Sequence, residues 1–515
     1  MSLICVTLTG ESVSEFFESA RKCKALGADL FELRLDFLKE NATEHSLSEL
    51  SRLKDEVGLP VILTIRPSWE GGSYGSSEES RLALLGKGIE LGFDYIDLEL
   101  KTEDARRNEI INKAIESGVT TIVSHHDYIE TPSSKDILFL MKQCLEADGD
   151  IAKVVTTAHE FMDGVDVILA GKEAKSQNLR FTVMGMGRFG YLTRFLGPVA
   201  GCEMVYASLE RGEEAVYGQV DIQTLNSIRI KKINFESAVC GIIGFPLGHS
   251  LSPLMHNAGF KELNLNFVYI PMEFPEEQLG TALEGIRSLG FKGLSVTHPY
   301  KRAVMNYLDG IDERASDIGA VNTILNNEGE FIGYNTDSSG AVGALRDSGI
   351  DIWSGKDKTL IIGAGGAARA IGVPLAKAGW EIIVANRTPA KGKNLADMLN
   401  SHSSTTAISI SEIGDAVSDI NLLINCTPLG MKGYPSESPI PVNLLRKDIT
   451  VFDMVYSPMR TPLLMAAEKV GAKVIYGHEM FVRQGVEAFE LWTQGKAPVD
   501  VMRKVVMDEL GEGSI

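Results

Sequence analysis

Eight short β-rich runs recur in the first 220 residues, and this repetition constrains the fold more than any other feature of the chain. An amphipathic stretch such as residues 12–27 separates most neighbouring runs, as expected for helices that cover a parallel sheet. Eight strands alternating with helices over this length predict a (β/α)8 barrel. A doubly wound open sheet is the alternative that fits the same pattern. The runs span residues 3–8, 29–35, 60–65, 94–99, 119–124, 151–155, 180–185 and 203–207.

The repetition pauses at residues 225–238, a basic stretch that we interpret as a linker. Strand and helix signals resume at residue 239 and restart at residue 358 with an apolar strand and a glycine-rich turn. A chain of 515 residues is too long for one core. The predicted organisation is a barrel at 1–224, the linker, an α/β lobe at 239–340 joined by a helix returning from about 480–515, and a second α/β lobe at 341–480.

Composition and charge exclude several functional classes. Hydrophobic residues make up 44% of the chain, but no long apolar run occurs, so we expect no transmembrane helix. The N-terminus has the pattern of a first strand, and the six cysteines form no CxxC pair, which together predict reduced thiols and a cytoplasmic location. The net charge of −19 argues against nucleic acid and anionic membranes as partners. Local Arg, Lys and backbone donors must therefore hold any small acidic substrate.

A dinucleotide-binding turn follows the apolar strand at 359–362. In its GxGxxA pattern, Gly363 permits the tight turn, Gly365 lets backbone approach a pyrophosphate and Ala368 permits close helix packing. The next strand ends in Arg387 and its neighbours instead of the acidic residue usual in NAD enzymes, so the sequence predicts NADP. A βα turn without ligand and a solvated loop arginine are the alternatives. The predicted cofactor-binding residues here are Gly363, Ala364, Gly365, Gly366, Ala367, Asn386, Arg387 and Thr388.

Lys301 and Asp337 are candidates for proton transfer. Lys301 follows Pro299, which fits the first turn of a helix, so we expect the lysine near a helix N-terminus that disfavours a cation. Asp337 precedes a helical pattern, and its alternative role is an N-cap. A Lys–Asp pair can bind a hydroxyl or carbonyl and shuttle its proton during hydride transfer.

Residues 240–510 resemble shikimate dehydrogenase. The motifs that carry the resemblance, in the family's order, are HSLSP (249–253), SVTHPYK (295–301), GAVNT (319–323), NTD (335–337), GAGGAAR (363–369), NRT (386–388) and NCTPLGM (425–431). The resemblance implies that Lys301 and Asp337 form the catalytic pair and that Met480 borders the nicotinamide. His298 stands where relatives carry an aliphatic residue, and a second acid or base there is the alternative to a neutral change. The implied substrate-binding residues are Ser250, Ser252, Thr297, Asn322, Tyr456 and Gln484.

Lys153 lies within the apolar run IAKVV, where a lysine is unusual unless its side chain faces a special environment. Burial and cationic neighbours lower the pKa of a lysine and make its amine nucleophilic. His126 ends the preceding strand, so we expect the two at neighbouring strand ends of the barrel, where barrel enzymes carry their sites. The pair predicts imine chemistry assisted by a base. A snorkelling lysine and a structural histidine are the alternative.

Residues 1–224 resemble type I 3-dehydroquinate dehydratase. The shared motifs are ELRLD (32–36), TIRP followed by EGG (64–72), YIDLEL (95–100), SHHDY (124–128), AKV (152–154) and GQV (218–220). The resemblance implies an imine on Lys153, general acid/base catalysis by His126 rather than His125, and orientation of His126 by Glu70. Ala215 stands where relatives carry a serine, so one hydroxyl contact to the substrate is missing. The residues implied to bind substrate or close the site are Glu32, Arg34, Arg66, Arg194 and Gln219.

Together the two resemblances imply a bifunctional enzyme of the shikimate pathway. The barrel is expected to dehydrate 3-dehydroquinate to 3-dehydroshikimate by syn elimination. A two-lobed α/β dehydrogenase with a Rossmann NADP-binding lobe is then expected to reduce that ketone to shikimate. Two alternatives stay open: quinate as a substrate of the second half, and a barrel that binds the intermediate without catalysis. No metal site is predicted, and the sequence leaves the oligomeric state open.

Overall fold

The computed structural model describes residues 2–39, 42–210, 212, 218–248, 250–353 and 357–511. The chain divides into two compact units. The first contains residues 1–238 with the short segments 266–270 and 281–289, and the second contains the remainder. Ala215 and the histidine that begins the HSLSP motif lie outside the described residues. Within the described ranges, no helix is long and apolar enough to cross a membrane.

Eight parallel strands form the barrel predicted for the first half of the chain. They are β1 (Leu3–Leu8), β2 (Leu30–Arg34), β3 (Val61–Thr64), β4 (Tyr95–Glu99), β5 (Thr120–His126), β6 (Ile151–Thr157), β7 (Phe181–Met186) and β8 (Met204–Ala207). The order is β7-β6-β5-β4-β3-β2-β1-β8. The backbone N–H of Glu203 donates to the carbonyl of Phe181 (2.9 Å), which brings the two end strands together. Because the order follows the sequence without a reversal, the open doubly wound alternative is excluded.

Amphipathic helices cover the outside of the barrel. In the first of them, Phe16, Ala20 and Cys23 are buried at the spacing of one helical face. The helices are α1 (Val13–Ala25), α2 (Glu44–Leu50), α3 (Leu53–Val57), α4 (Glu78–Glu90), α5 (Asp104–Ser117), α6 (Ser134–Glu146), α7 (Phe161–Ser176), α8 (Tyr191–Ala200) and α9 (Ile222–Ser227).

The side chains in the barrel interior change from apolar to polar along the strands. Cys5, Leu30, Ile62, Ile122 and Ile151 form part of one apolar cluster. Side chains two residues further along a strand share the same face. Two residues after each member of this cluster, and at the equivalent position of β4, the inward-facing side chains are polar: Thr7, Glu32, Thr64, Asp97, Ser124 and Lys153. The alternation therefore places a buried polar layer on the side of the apolar layer nearer the C-terminal strand ends.

A mixed sheet forms the first lobe of the second half. Its strands are β9 (Ala238–Gly244), β10 (Phe267–Glu273), β11 (Gly293–Val296), β12 (Gly310–Ile311), β13 (Thr323–Asn327) and β14 (Glu330–Tyr334), in the order β10-β9-β11-β13-β14-β12. Strands β11, β13 and β14 are antiparallel neighbours, whereas β9 runs parallel to β11. The helices are α10 (Ser252–Glu262), α11 (Leu279–Leu289), α12 (Glu313–Ile318) and α13 (Thr336–Asp347).

The second lobe is a parallel sheet with the Rossmann strand order. Its strands are β15 (Lys358–Ile362), β16 (Glu381–Asn386), β17 (Thr405–Ser409), β18 (Leu422–Asn425), β19 (Thr450–Asp453) and β20 (Lys473–Ile475), in the order β17-β16-β15-β18-β19-β20. The order reverses between β15 and β18, where such sheets bind ligands. The helices are α14 (Gly366–Lys377), α15 (Pro389–Leu399), α16 (Ile413–Ala416), α17 (Pro462–Lys469), α18 (Gly477–Thr493) and α19 (Val499–Leu510). The last two return to the first lobe, where α18 packs against α13 and α19 against α10.

The helix predicted to begin near Pro299 is wrong. Residues 298–302 form turns, and the first helical turn is a short 3-10 helix at Ala303–Tyr307. The carbonyl of Lys301 accepts a hydrogen bond from the backbone N–H of Val321 (2.7 Å). This tertiary bond uses the acceptor that an α-helix would bond within itself. Lys301 therefore lies in these turns, directly before the N-cap residue Arg302 of the short 3-10 helix, and not in the first turn of an α-helix.

Candidate active sites

Lys153 is buried in the polar layer of the barrel, with its side chain 5% exposed. Its Nζ donates to Oε1 of Glu32 and to Oδ2 of Asp97, both at 2.9 Å. It also lies 4.3 Å from the centroid of the Tyr206 ring. Lys153 is paired with Ser124 in the register of β5 and β6. Because Lys153 is the third residue of its strand, the expectation that it lies at a strand end is wrong.

The pKa of the Lys153 amine is higher than the value expected from burial alone. Burial by itself lowers the pKa of the amine, but attraction to Asp97 and Glu32 outweighs burial and holds the pKa above its ordinary value. The expected depression of the Lys153 pKa is therefore wrong for this state of the site. The resting amine is an ammonium ion that must lose a proton before it can attack a carbonyl.

Glu70 holds His126 through two hydrogen bonds. The backbone N–H of His126 donates to Oε1 of Glu70 at 2.9 Å, and Nδ1 of the imidazole lies 3.0 Å from the same oxygen. Burial and the positive charges of Arg66 and Lys153 lower the pKa of His126 well below its ordinary value. Burial raises the pKa of Glu70 to about 8. A neutral imidazole whose Nδ1 is bonded to Glu70 leaves Nε2 available as a base.

Arg34, Arg66 and Arg194 line the barrel cavity but differ in whether a carboxylate balances their positive charge. Arg34 forms a two-pronged ion pair with Asp36, with both N–O distances at 2.9 Å. Arg66 pairs with Asp97 at 3.0 Å and with Glu99 at 2.6 Å.

Arg194 has only carbonyl and sulfur partners among the described residues, and its Nε is buried without a partner. Burial lowers the pKa of Arg194 to about 10. Within the described ranges, no carboxylate forms an ion pair with Arg194.

The predicted barrel residues surround one cavity. Glu70 does not line this cavity itself but contacts His126, which does. Asp97, which binds Lys153 together with Glu32, is a site residue that the sequence analysis did not predict. The lining residues are Thr7, Glu32, Arg34, Arg66, His126, Tyr128, Lys153, Val155, Met184, Met186, Arg194, Tyr206 and Gln219. The predicted loss of a hydroxyl at Ala215 falls outside the described residues.

Lys301 and Asp337 meet directly in the second half. Nζ of Lys301 lies 2.5 Å from Oδ2 of Asp337. The helix α13 is capped by Asn335, whose side chain accepts the backbone N–H of Ser338 at 3.1 Å. The alternative of Asp337 as the N-cap is therefore wrong, and its carboxylate is available to the lysine.

A cavity of about 190 Å³ contains the predicted substrate residues of the second half. His298 is exposed and does not line this cavity. Asn322 is fixed there because its Oδ1 accepts the backbone N–H of Thr336 (2.7 Å) and its Nδ2 donates to the Thr336 hydroxyl (2.9 Å). The cavity is lined by Ile242, Ser250, Ser252, Ser295, Val296, Thr297, Lys301, Asn322, Asp337, Ala367, Met454, Tyr456, Gly477, Met480, Phe481 and Gln484.

The glycine-rich turn has the shape required of a pyrophosphate site. Gly363 has φ of +107°, and a Cβ there would lie 3.1 Å from the carbonyl oxygen of Cys426. Gly365 is exposed at the start of α14, and a Cβ there would meet no atom within 4 Å. The open space at Gly365 fits a ligand that approaches the backbone. Asn386 ends β16, and Arg387 and Thr388 are exposed beyond it, with no acidic side chain in this segment.

Among the described residues, no group of three His, Cys, Asp or Glu side chains converges as metal ligands.

Family models match both halves of the chain. Residues 4–231 match type I 3-dehydroquinase, and residues 242–324 match the shikimate dehydrogenase substrate binding domain. Residues 351–430 match shikimate / quinate 5-dehydrogenase, and residues 477–507 match the shikimate 5'-dehydrogenase C-terminal domain.

A relative from Arabidopsis thaliana is 34% identical over 98% of this chain and 84% of its own length, and it is a chloroplastic bifunctional 3-dehydroquinate dehydratase/shikimate dehydrogenase. The chain belongs to this bifunctional family. The NADP(+) shikimate dehydrogenase of Carboxydothermus hydrogenoformans is 43% identical over 53% of the chain and 98% of its own length. A crystal structure of shikimate dehydrogenase with NADP+ is 39% identical, with a TM-score of 0.51 over 54% of this chain and 98% of that one.

The predicted combination of a lyase and an oxidoreductase is thereby confirmed for this bifunctional dehydratase/dehydrogenase. The names of the relatives agree with the NADP predicted from Arg387.

One residue that the sequence did not single out supports the bifunctional enzyme's second site. Asp453 is buried, and its carboxylate accepts hydrogen bonds from the Asn425 side chain (2.9 Å), the backbone of Val455 (3.0 Å) and the Thr461 hydroxyl (2.6 Å). Burial raises its pKa to about 6. These bonds fix the turn that leads to Tyr456, which stacks on Phe481 with ring centroids 4.3 Å apart. A carboxylate at the end of an apolar strand was the signal available in the sequence.

Proposed function

We propose that this chain converts 3-dehydroquinate to shikimate in two steps, with Lys153 as the covalent residue of the first step and the Lys301–Asp337 pair as the proton carrier of the second. The observation that carries the proposal is the arrangement of Lys153 and His126 around one cavity, with a buried carboxylate on each. A barrel that only binds the intermediate has no need for a buried amine and a held base at the same cavity.

In the first step, deprotonated Lys153 attacks the ketone of 3-dehydroquinate and water leaves, which forms an imine. Nε2 of His126 then removes the proton next to the imine carbon and passes it to the departing hydroxyl, which leaves as water. Hydrolysis of the imine releases 3-dehydroshikimate and restores the amine. Asp97 and Glu32, which hold the pKa of Lys153 high, also favour the positively charged form of the imine. That charge withdraws electrons and makes the adjacent proton easier to remove.

Arg194 is the best-supported anchor for the substrate carboxylate. Arg34 and Arg66 are neutralised by Asp36, Asp97 and Glu99, whereas Arg194 has no carboxylate partner among the described residues. A buried, uncompensated guanidinium attracts an anion more strongly than a paired one does. Arg34, Arg66 and Gln219 then contact the remaining polar groups of the substrate.

The second step reduces the ketone of 3-dehydroshikimate, for which NADPH, when bound, would be the hydride donor. The turn at Gly363–Ala367, together with Asn386, Arg387 and Thr388, fits the cofactor because Gly365 leaves open space beside the backbone. Lys301 and Asp337 bind the carbonyl oxygen and deliver a proton to it as the alcohol forms. Ser250, Ser252, Thr297, Asn322, Tyr456 and Gln484 hold the carboxylate and hydroxyls, and Met480 borders the nicotinamide.

A coupled assay tests both halves together. The full chain should form shikimate from 3-dehydroquinate and NADPH, with oxidation of one NADPH for each shikimate. Borohydride should trap 3-dehydroquinate covalently on Lys153, and Lys153→Ala should abolish trapping and dehydration while leaving reduction of 3-dehydroshikimate unchanged. Absence of an adduct in folded wild-type protein would reject the lyase mechanism.

Quinate and NAD define the competing specificity. The ratio of kcat/KM values for shikimate and quinate, each with NADP and NAD, measures it, and a preference for quinate with NAD would overturn our assignment. The cytoplasmic location stays a prediction, because the Arabidopsis relative is named as chloroplastic.

A further inference from the structure

Asp36 does not line the barrel cavity, yet its carboxylate joins two parts of the barrel site. It follows β2, and its side chain is fully buried. Each oxygen of the carboxylate accepts one hydrogen bond from Arg34 and one from the backbone of the segment 66–73. Four donors around a buried carboxylate replace the hydrogen bonds that it loses on removal from water.

The bonds to Arg34 fix a guanidinium that faces the cavity. Nε of Arg34 donates to Oδ1 of Asp36 and Nη2 donates to Oδ2, both at 2.9 Å. Such a two-pronged pair sets the plane of the guanidinium as well as its position. The remaining N–H groups of Arg34 are then presented to the cavity in one orientation.

The bonds to the backbone close the segment that carries Glu70. Oδ1 of Asp36 accepts the N–H of Arg66 at 3.4 Å, and Oδ2 accepts the N–H of Ser73 at 3.1 Å. These two donors stand at the start and the end of the segment, and Glu70 lies between them. Glu70 in turn holds the imidazole of His126. Asp36 is therefore connected to the base through the segment 66–73.

We propose that Asp36 is a positioning residue for dehydration, which sets the orientation of a substrate-binding arginine and the position of the Glu70–His126 pair at the same time. The proposal rests on the proposed lyase function, since it assigns Asp36 a role in that reaction.

The variant Asp36→Asn tests whether the hydrogen bonds of Asp36, and not only its packing, are needed for dehydration. The amide has nearly the same shape, but one oxygen becomes an N–H donor in either orientation. Because each oxygen of Asp36 serves both Arg34 and the backbone, either orientation of the amide loses one bond to Arg34 and one bond to the backbone. Arg34→Lys provides the single-sided comparison, since it keeps a positive charge beside Asp36 and the bonds from Asp36 to residues 66 and 73, but loses the two-pronged pair.

Asp150→Asn is the control for loss of a hydrogen-bonded carboxylate that is exposed and remote from the cavity. The carboxylate of Asp150 also accepts hydrogen bonds in the barrel, from the backbone and hydroxyl of Thr121 at 2.8 and 2.9 Å, but it precedes β6 at the N-terminal end of the strands. All variants are measured in the full chain, so that reduction of 3-dehydroshikimate by the second half reports the integrity of each preparation.

In Asp36→Asn, KM for 3-dehydroquinate should rise about 10-fold or more and kcat for dehydration should fall about 10- to 100-fold. The pH dependence of kcat should also move, because the Glu70–His126 pair is displaced. Arg34→Lys, which conserves the charge, should raise KM with a much smaller change in kcat and no change in the pH profile, and Asp150→Asn should change neither constant. Borohydride trapping on Lys153 at saturating substrate shows that the barrel of the Asp36→Asn variant is folded.

Two results separate failure of the inference from failure of the proposed function. If wild-type protein forms no borohydride adduct, the lyase function itself is wrong. If wild-type protein reacts and Asp36→Asn lowers only thermal stability, with kcat and its pH profile unchanged, Asp36 is merely structural and the proposal is overturned.

Discussion

Nδ1 of His126 lies 3.0 Å from Oε1 of Glu70, and the same oxygen accepts the backbone N–H of His126 at 2.9 Å. One carboxylate oxygen thus fixes both the main chain and the ring of the histidine. Among the described residues, Oε2 of Glu70 is buried and has no hydrogen-bond partner. Because burial raises the pKa of Glu70 to about 8, its charge changes within the pH range in which the enzyme can be assayed.

Dehydration should accelerate as pH rises through about 8, the pKa to which burial raises Glu70. Below that pH the carboxyl is protonated and gives little stabilisation to an imidazolium, whereas above it the carboxylate favours proton uptake by His126. Glu70→Gln should remove this limb of the kcat profile and lower kcat about 100-fold. The measurement is kcat for dehydration between about pH 6 and about pH 9.5, on either side of the raised pKa. A limb that persists in Glu70→Gln would assign it to another group.

The adjacent histidines His125 and His126 give a matched pair of variants. His126 lines the cavity and contacts Glu70, whereas His125 does not line it. His126→Ala should lower kcat for dehydration about 10²- to 10⁴-fold, as expected for loss of a general base, while His125→Asn should stay within a few-fold of wild type. Equal losses in both variants would contradict the assignment of His126.

The arginines of the barrel should respond differently to loss of charge. Arg194→Met removes a cation that has no carboxylate partner in the described part of the chain, so the free energy of unfolding should change little while KM for 3-dehydroquinate rises about 10- to 100-fold. Arg66→Met removes one cation from the buried carboxylates of Asp97 and Glu99, which keep only Lys153 and Arg81 as ionic partners, and should cost about 3–5 kcal/mol of stability. Denaturant unfolding and steady-state kinetics on both variants check this contrast, and a stability loss in Arg194→Met equal to that in Arg66→Met would contradict it.

The sequence predicted the elements better than the charges. All eight barrel strands lie within two residues of the predicted runs, because alternation of apolar strands and amphipathic helices is a local property. The expected low pKa of Lys153 was wrong because Asp97 and Glu32 approach it from other strands. Such a contact depends on the register in which the strands pair, and that register cannot be read from a single sequence.

In the second half of the chain, too, the sequence predicted the local elements but not the contacts between distant residues. The GxGxxA turn and the Rossmann lobe follow from local pattern, and both are present. The helix predicted at Pro299 is replaced by turns because Val321, twenty residues away, bonds to the carbonyl of Lys301. Asn335 and Asp337 are equally good N-cap residues by type. Only the structure distinguishes the cap from the residue that meets Lys301.

Two glycines of the cofactor turn should separate binding from stability. Gly365 has φ of −88° and an ideal Cβ there meets nothing within 4 Å, so Gly365→Ala should fold as well as wild type. The added methyl would occupy the space through which a pyrophosphate approaches the backbone, so KM for NADPH should rise at least about 10-fold. Gly363→Ala places a side chain at φ of +107° beside the carbonyl of Cys426 and should instead cost about 1–3 kcal/mol of stability. NADPH titrations and denaturant unfolding of both variants decide the matter: an unchanged KM for NADPH in well-folded Gly365→Ala would show that the turn does not hold the pyrophosphate.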